Sequence, residues 1–381
     1  MAGATLAETP LGAGVIPARA GFGYIPGLDG IRAFSVLLVI VAHMGAGDRI
    51  PGGFGVTVFF FISGFLITRL LLAERAATQR IHLWRFYVRR FLRLMPAMWL
   101  MLAGSAIVYA LVLSTYPRWI DVFAAVTYWQ NYLNIYYQAH HIPENLNWGH
   151  LWSLAVEEHF YLIFPAMLAA FGFDLRRFII GCLVVCGLSL LWRLTTFYIL
   201  DFFPKWNYYT TDARIESILW GCLLSLILFV SPERLRRLIG ALPVALALAV
   251  LLVGFLYRDE GFRETLRYTL QGGALFVLFL NLFFWPRLRF AVSILEISVL
   301  AWLGRISYGL YLWHWPAIDV VEKLGHQPGE PAHIIGSIVL TLVPTVLSFY
   351  FVEKPILRLR RHFGSHATRT APPTPSTTPA T

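Results

Sequence analysis

Arg32 and His43 are the residues of this chain that packing alone explains least well. Both lie in the apolar stretch from Leu28 to Thr68, most of which is hydrophobic enough for lipid. An ionisable side chain at membrane depth is energetically costly, so by default it marks a functional site. A neutral imidazole is the usual general base near neutral pH. A guanidinium is a permanent cation that can hold an anionic group.

Helix geometry predicts that these two side chains share a face. They are eleven positions apart, which corresponds to about 16 Å along a helix and an angular difference of about 20°. We therefore expect a polar stripe that faces a protein interior, with Arg32 near one membrane surface and His43 towards the middle. The alternative is an arginine that snorkels from a helix end and a histidine that hydrogen-bonds a neighbouring helix.

A basic segment from Trp84 to Pro96 carries a second candidate site. Arg90 and Arg93 are three positions apart, so on a helix they could grip one polyphosphate together. Coenzyme A is a cytoplasmic polyphosphate of that kind. The alternative is a membrane anchor, in which the arginines of this segment meet anionic lipid at the inner surface.

A third candidate, Trp148 to Pro165, places Glu157 and Glu158 inside an otherwise apolar span. Buried carboxylates are costly unless they are paired or protonated, so we expect them to neutralise Arg32 or other buried cations. Ser153 is expected to cap the helix or to bind substrate. The His and Glu spacings here do not give a closed metal-ligand set, so no metal site is expected.

Two further groups lie towards the carboxyl-terminal half of the chain. Between Thr211 and Gly221, charged residues alternate around the outer mouth of a predicted span, either as part of the site or as an interfacial salt-bridge cluster. These residues are Asp212, Arg214 and Glu216. Further along the chain, four polar residues lie inside apolar segments or at their ends. They are Tyr308, Tyr311, His314 and Glu353.

The composition indicates what must position these residues. Apolar residues make up 57% of the 381 residues and charged residues 14%, and the mean hydropathy is +0.63. These values are typical of an all-α, polytopic membrane protein. The net charge of +10 falls in short stretches between apolar segments, as membrane topology requires, so it predicts no nucleic-acid partner.

The hydropathy pattern predicts about ten transmembrane helices, with both termini in the cytoplasm. This arrangement brings every dense basic cluster to the cytoplasmic face. Residues 1–23 are expected to be a flexible tail, 24–362 the membrane domain, and 363–381 a disordered Pro/Thr-rich tail. The predicted spans cover roughly residues 31–45, 54–72, 94–114, 151–171, 178–200, 212–231, 239–257, 266–285, 306–321 and 334–352.

Seven short stretches, in order, resemble the membrane acyltransferase 3 family, whose members include polysaccharide O-acetylases. They are LDGIRA with ten residues between Arg32 and His43, FFFISGFLI, RRFLRLMP, LWSLAVEEHFYLIFP, ARIESILWG, ISYGLYLWHWP and FVEKP. The resemblance covers about Tyr24 to Arg360. The sequence departs from the family pattern at Glu216, where Asp is more common. The carboxyl-terminal hydrolase-like domain of some polysaccharide members is not expected in this chain, which leaves the acceptor open.

The resemblance implies an enzyme that moves an acyl group, most simply acetyl, from cytoplasmic acyl-CoA to a hydroxyl group. It implies no permanently bound cofactor. The leading acceptor is a cell-surface carbohydrate such as lipopolysaccharide or exopolysaccharide, and the runner-up is a small-molecule or antibiotic sugar. The other class of function is a transporter of a glycan or lipid-linked precursor. The absence of inverted repeats and the one-sided arginine pair argue against a transporter.

The resemblance also implies roles for the candidate residues. His43 would be the base that deprotonates the acceptor or a transient acyl carrier. Arg32 would orient a donor phosphate or polarise the thioester carbonyl. Arg90 and Arg93 would hold the coenzyme. The expected location is the bacterial inner membrane, where the multi-pass chain meets lipid, and the oligomeric state is left open.

Overall fold

The computed structural model describes residues 24–171, 174–203 and 205–359, and every regular element in these ranges is helical. The predicted tails, 1–23 and 363–381, lie outside the described residues. The seventeen α-helices run in chain order as α1 Leu28–Val41, α2 Gly52–Thr78, α3 Leu83–Leu113, α4 Trp119–Val126, α5 Gln130–Ala139, α6 Trp152–Phe171, α7 Leu175–Tyr198, α8 Trp206–Tyr209, α9 Thr211–Val230, α10 Ala241–Leu256, α11 Glu260–Glu264, α12 Leu266–Phe284, α13 Arg289–Leu295, α14 Ser298–Arg305, α15 Ser307–Lys323, α16 Pro331–Ser348 and α17 Lys354–Leu359.

The chain is a multi-pass integral membrane protein. In the described ranges, eight helices are long and apolar enough to cross a bilayer. The count rises to nine if the pair Pro232–Leu238 and Ala241–Leu256, bent by 74°, forms one span. The sequence predicts about ten because it includes α15. That helix has only 17 residues and is mostly buried in protein, whereas a lipid-exposed span needs about 20 residues.

Helix α2 packs directly against α9, and glycines make this close approach feasible. A Cβ atom on Gly64 would lie 2.0 Å from the carbonyl oxygen of Ile218, and one on Gly221 would lie 2.0 Å from that of Phe61. Small residues at such positions let backbones approach closely in a membrane, where lipid gives apolar side chains little reason to associate. The α2–α9 pair therefore forms the rigid centre of the bundle.

Helix α1, which carries Arg32, is fixed by an equally close contact at its amino-terminal end. A Cβ atom on Gly304, in α14, would lie 1.8 Å from the carbonyl oxygen of Asp29. At its other end α1 continues into a π-helical turn, Ala42–Ala46, and Gly45 there has a φ of 99°. A π-helical turn widens the helix locally and is frequent at functional sites. His43 lies in this turn.

An ion pair joins the end of α2 to the start of α3. Arg89 Nη2 lies 3.2 Å from Glu74 Oε2, and both side chains are largely buried. This contact fixes the first turns of α3, from which Arg90 and Arg93 project. The two candidate arginines are thus positioned by the α2 scaffold.

Candidate active site

Two cavities lie along the antiparallel pair α1 and α2, one towards each end. The first, which we term the arginine cavity, has a volume of about 100 Å³ and is lined by Arg32, Arg90 and Arg93. The second, the histidine cavity, has a volume of about 390 Å³ and is lined by His43 and Trp315. Arg32 and His43 therefore line two different cavities, at opposite ends of α1.

Their separation along α1 accounts for this difference, since eleven residues span about 16 Å of helix. His43 keeps the helical phase of α1, because Met44 and Gly45, the residues of the π-helical turn with non-helical φ/ψ, follow it. His43 also lies in the last turn of the 19-residue apolar segment Leu28–Ala46. It is thus further from the middle of the span than the sequence suggests.

The arginine cavity combines cationic groups with an apolar wall. The guanidinium of Arg90 lies 3.6 Å from the ring centroid of Tyr161, and Arg32 lies 3.8 Å from the carboxylate of Asp29. In the described part of the chain, the buried Nε of Arg90 has no hydrogen-bond acceptor. The apolar wall is formed mainly by Phe59, Leu66, Ile67 and Leu70.

Glu157 supplies negative charge to the same cavity. Its carboxylate accepts a hydrogen bond from Ser63 Oγ at 2.7 Å and one from Tyr161 Oη at 3.4 Å. Glu158 is next to it, and among the described residues its buried Oε1 has no donor. Both carboxylates lie in electrostatic range of Arg90, as expected for groups that neutralise buried cations.

The histidine cavity is built around a contact between two distant helices. His43 Nδ1 lies 3.0 Å from His314 Nε2, and the rings of His43 and Trp315 are nearly perpendicular, with centroids 3.7 Å apart. His314 Nδ1 lies 2.6 Å from the carbonyl oxygen of Tyr311. A carbonyl oxygen only accepts, so His314 Nδ1 carries the proton and donates.

This arrangement fixes the proton positions of both rings. With Nδ1 protonated, Nε2 of a neutral His314 is an acceptor, and it therefore takes a hydrogen bond from His43 Nδ1–H. The remaining ring nitrogen of His43, Nε2, is left with a free lone pair. An imidazole in this tautomer, held by a second partner, is arranged as a general base.

Ser153 and Tyr311 connect this histidine pair to the arginine cavity, which both residues line. Tyr311 Oη donates to the carbonyl oxygen of His150 at 2.8 Å, and Ser153 Oγ lies 2.7 Å from Tyr311 Oη. Since the Tyr311 proton is already used, Ser153 is the donor to Tyr311. Contacts therefore run from the arginine cavity through Tyr311 and His314 to His43.

The charged residues of α9 do not form the single cluster that their alternation suggests. Glu216 is buried against Arg193 of α7, with which it forms an ion pair, and it also accepts from Thr269 Oγ1 at 3.0 Å. Arg214 turns to the opposite side, towards Thr57. Asp212 is exposed and bonds to Trp192. Glu216 is thus a structural ion-pair partner in α9.

Glu353 lies at the end of a π-helical turn, Phe349–Glu353, where its carboxylate accepts from Ser348 Oγ at 3.2 Å. It lies in electrostatic range of Arg93. It therefore lies near the arginine cavity, in the turn that follows α16, and does not line it. Within the described residues, no group of three or more His, Cys, Asp or Glu side chains is placed to hold a metal ion.

Sequence reasoning missed Arg193, Trp315 and Arg267. Arg193 lies inside an apolar segment, so the rarity of ionisable residues at membrane depth was a usable signal for it. Trp315 and Arg267 line the histidine cavity. Nothing in their local sequence distinguishes them from the many interfacial aromatic and basic residues of this chain.

Comparison with known proteins identifies relatives of this chain. A family model described as an acyltransferase domain matches residues 25–352. The peptidoglycan O-acetyltransferase OatA of Listeria monocytogenes is 32% identical over 355 residues, which cover 87% of this chain and 56% of the relative. The O-acetyltransferase OatA of Staphylococcus aureus is 34% identical over 359 residues, covering 87% and 57% respectively.

The chain spans a little more than half of the length of these curated relatives. No solved structure matches the chain.

Proposed function

Because the chain belongs to the acyltransferase 3 family, we propose that it is an integral membrane O-acyltransferase. It would move an acetyl group from acetyl-CoA to a hydroxyl group of a cell-surface carbohydrate. The observation that carries this proposal is the line of contacts from the arginine cavity through Tyr311 and His314 to His43. The proposed anion-holding site and the proposed general base lie at opposite ends of this line of contacts.

The relatives' names support the acetyl group and the carbohydrate acceptor. One is named as a peptidoglycan O-acetyltransferase and another as an O-acetyltransferase. Peptidoglycan is therefore an acceptor candidate beside lipopolysaccharide and exopolysaccharide. All three present sugar hydroxyl groups on the far side of the inner membrane, where we place this protein.

The arginine cavity is the proposed donor site. Arg90 and Arg93 lie one helical turn apart on α3, and both line the cavity with Arg32. Guanidinium groups bind phosphate oxygens through paired hydrogen bonds, and Arg90 has an unused Nε–H. The apolar wall along α2 suits the pantetheine arm, which would bring the thioester towards Tyr311.

His43 is the proposed base of the transfer step. Its Nε2 takes the proton from the acceptor hydroxyl as the hydroxyl oxygen attacks the thioester carbonyl carbon. The new C–O bond forms, the C–S bond breaks, and the thiolate of coenzyme A leaves and recovers the proton from His43. His314 keeps His43 in the required tautomer throughout. A direct transfer of this kind needs no acyl-histidine intermediate.

The proposed orientation has both termini in the cytoplasm. The basic segment at the α2–α3 connection then faces inwards, as the positive-inside rule predicts. The arginine cavity, next to that connection, is reached by cytoplasmic acetyl-CoA, and the histidine cavity faces the acceptor. The two substrates would therefore be bound from opposite sides of the bilayer.

Transfer from radiolabelled acetyl-CoA tests the proposal. Purified wild-type protein is expected to place the label on a carbohydrate acceptor, and His43→Ala should lower the rate by a factor of about 10² to 10⁴, the usual share of a general base. The amount of folded His43→Ala protein, judged by gel filtration, should match the wild type. Full activity of this variant would remove His43 from the mechanism, and unmodified cargo moved across the membrane would indicate a transporter.

A further inference from the structure

The histidine cavity carries an excess of positive charge. Two acidic side chains line it, Asp48 and Glu264, against five basic ones. The basic residues are Arg49, Lys205, Arg258, Arg263 and Arg267. Among the described lining residues, three positive charges are therefore left uncompensated, with His43 neutral.

Contacts within the protein leave an excess of these cations, because Glu264 lies in electrostatic range of both Arg263 and Arg267 and one carboxylate does not balance two cations. In the described part of the chain, none of the five forms an ion pair with a carboxylate. Arg258 donates to the carbonyl oxygen of Asp48 at 2.9 Å, and Arg267 donates to Tyr268 Oη at 3.3 Å. Both partners are neutral, and the buried Nε of Arg267 has no acceptor among the described residues.

A sixth cation lies behind the cavity wall. Arg214 is fully buried, and its guanidinium lies 4.0 Å from the ring centroid of Tyr268, which lines the cavity. Its Nη2 donates to Thr57 Oγ1 at 3.1 Å, while Nε and Nη1 have no acceptor in the described ranges. Arg214 therefore adds positive potential to the cavity.

Membrane topology does not account for this charge. In the proposed orientation the histidine cavity faces outwards, whereas the positive-inside rule concentrates Lys and Arg on the cytoplasmic side. A concave site lined by one sign of charge focuses its field and raises the local concentration of the opposite ion. The cation excess at this face is therefore explained by a ligand that is negatively charged.

We propose that the acceptor bound in the histidine cavity is anionic, a sugar that carries a carboxylate or phosphate group beside the hydroxyl that reacts. This inference rests on the proposed function, since it defines the chemistry of that acceptor. Arg263 and Arg267 are four residues apart, on α11 and at the start of α12, and both line the cavity. They are the residues placed to bind the anionic group while His43 approaches the hydroxyl.

The test uses three matched sugars with purified protein in phosphatidylcholine nanodiscs, so that no anionic lipid competes. N-acetylglucosamine is neutral, N-acetylmuramic acid adds a carboxylate, and N-acetylglucosamine 1-phosphate adds a phosphate. At least one charged sugar should have a KM about tenfold below that of the neutral sugar, the effect of a charge-assisted contact. The charged sugar with the lower KM shows whether the site prefers a carboxylate or a phosphate group. Equal KM values for all three would overturn the inference.

Variants that remove single charges show which residues bind the anionic group of the sugar. Arg267→Gln and Arg263→Gln should each raise the KM for the preferred charged sugar about fivefold to tenfold and leave the KM for N-acetylglucosamine unchanged. Arg267→Lys should retain most of the preference. Arg263 is exposed, so its replacement leaves no buried polar group unpaired. The matched control is Arg234→Gln, an exposed arginine in Pro232–Leu238 that does not line the cavity.

Binding to the His43→Ala protein separates this inference from the proposed function. Isothermal titration calorimetry measures sugar binding where transfer is blocked. Tighter binding of a charged sugar, weakened by the added Arg267→Gln substitution, supports the anionic site even if no acetylated sugar is ever formed. Equal binding of charged and neutral sugars would contradict the anionic site. Acetylation of those sugars by the wild type would still support the proposed enzyme function.

Discussion

The two cavities of this protein differ in how closely carboxylates match their cations. In the arginine cavity, the three lining cations Arg32, Arg90 and Arg93 lie in electrostatic range of four carboxylates, of which Glu157 alone is among the described lining residues. In the histidine cavity, five cations meet only two carboxylates. The first cavity is small and walled by apolar side chains, and the second is about four times as large in volume, about 390 Å³ against about 100 Å³.

The difference follows from what each cavity has around it. Charges enclosed in protein at membrane depth need partners, because an unpaired buried ion is costly. Most cations of the histidine cavity are exposed, so water solvates them and they can remain uncompensated. The narrow cavity is thus suited to a thioester arm that arrives through its arginines. The wide one is suited to a polar acceptor of variable size.

The largest expected effect in this comparison lies at the link between the cavities. His314→Ala removes the acceptor of His43 Nδ1–H, so the wrong ring nitrogen of His43 becomes free to hold the proton. We expect kcat to fall about a hundredfold, while the KM of each substrate stays within about twofold of the wild-type value. Steady-state kinetics with acetyl-CoA and acceptor varied separately measure both quantities.

The control for this variant is His326→Ala, which alters an exposed histidine outside both cavities. Its kcat should equal that of the wild type. A purely structural role for His314 would instead lower the amount of folded protein and leave the kcat per folded molecule unchanged.

A smaller effect is expected in the arginine cavity. Arg90→Gln should raise the KM for acetyl-CoA about tenfold, the loss of one charge-assisted contact to phosphate, and leave the acceptor KM unchanged. Arg93→Gln should act in the same direction. Arg85→Gln serves as the matched control, because Arg85 lies on α3 but does not line the cavity. Equal effects of Arg90→Gln on both substrates would favour a membrane anchor over a phosphate clamp.

Much of this architecture follows from local patterns in the sequence. The all-helical membrane fold follows from apolar segments of spanning length. The shared position of Arg90 and Arg93 follows from their three-residue spacing on one continuous helix, and the structure places both at one cavity. The buried carboxylates Glu157 and Glu158 were likewise expected near cations, because their desolvation cost requires it.

Other features depend on contacts that no local pattern encodes. His43 and His314 are 271 residues apart in the chain, and only the packing of α1 on α15 brings their rings together. The sequence places Arg32 and His43 on one helix but does not indicate that each lines its own cavity. Glu216 forms an ion pair with Arg193, which lies on a different helix, and not with its sequence neighbour Arg214.

The central claim is that an acetyl group passes from a donor on one side of the bilayer to an acceptor on the other. Proteoliposomes loaded with a membrane-impermeant sugar acceptor, and given radiolabelled acetyl-CoA only outside, test it directly. We predict labelled acceptor inside the vesicles, with all free coenzyme A remaining outside, and none in vesicles that carry His43→Ala. Labelled acceptor formed only when donor and acceptor share one compartment would contradict the account.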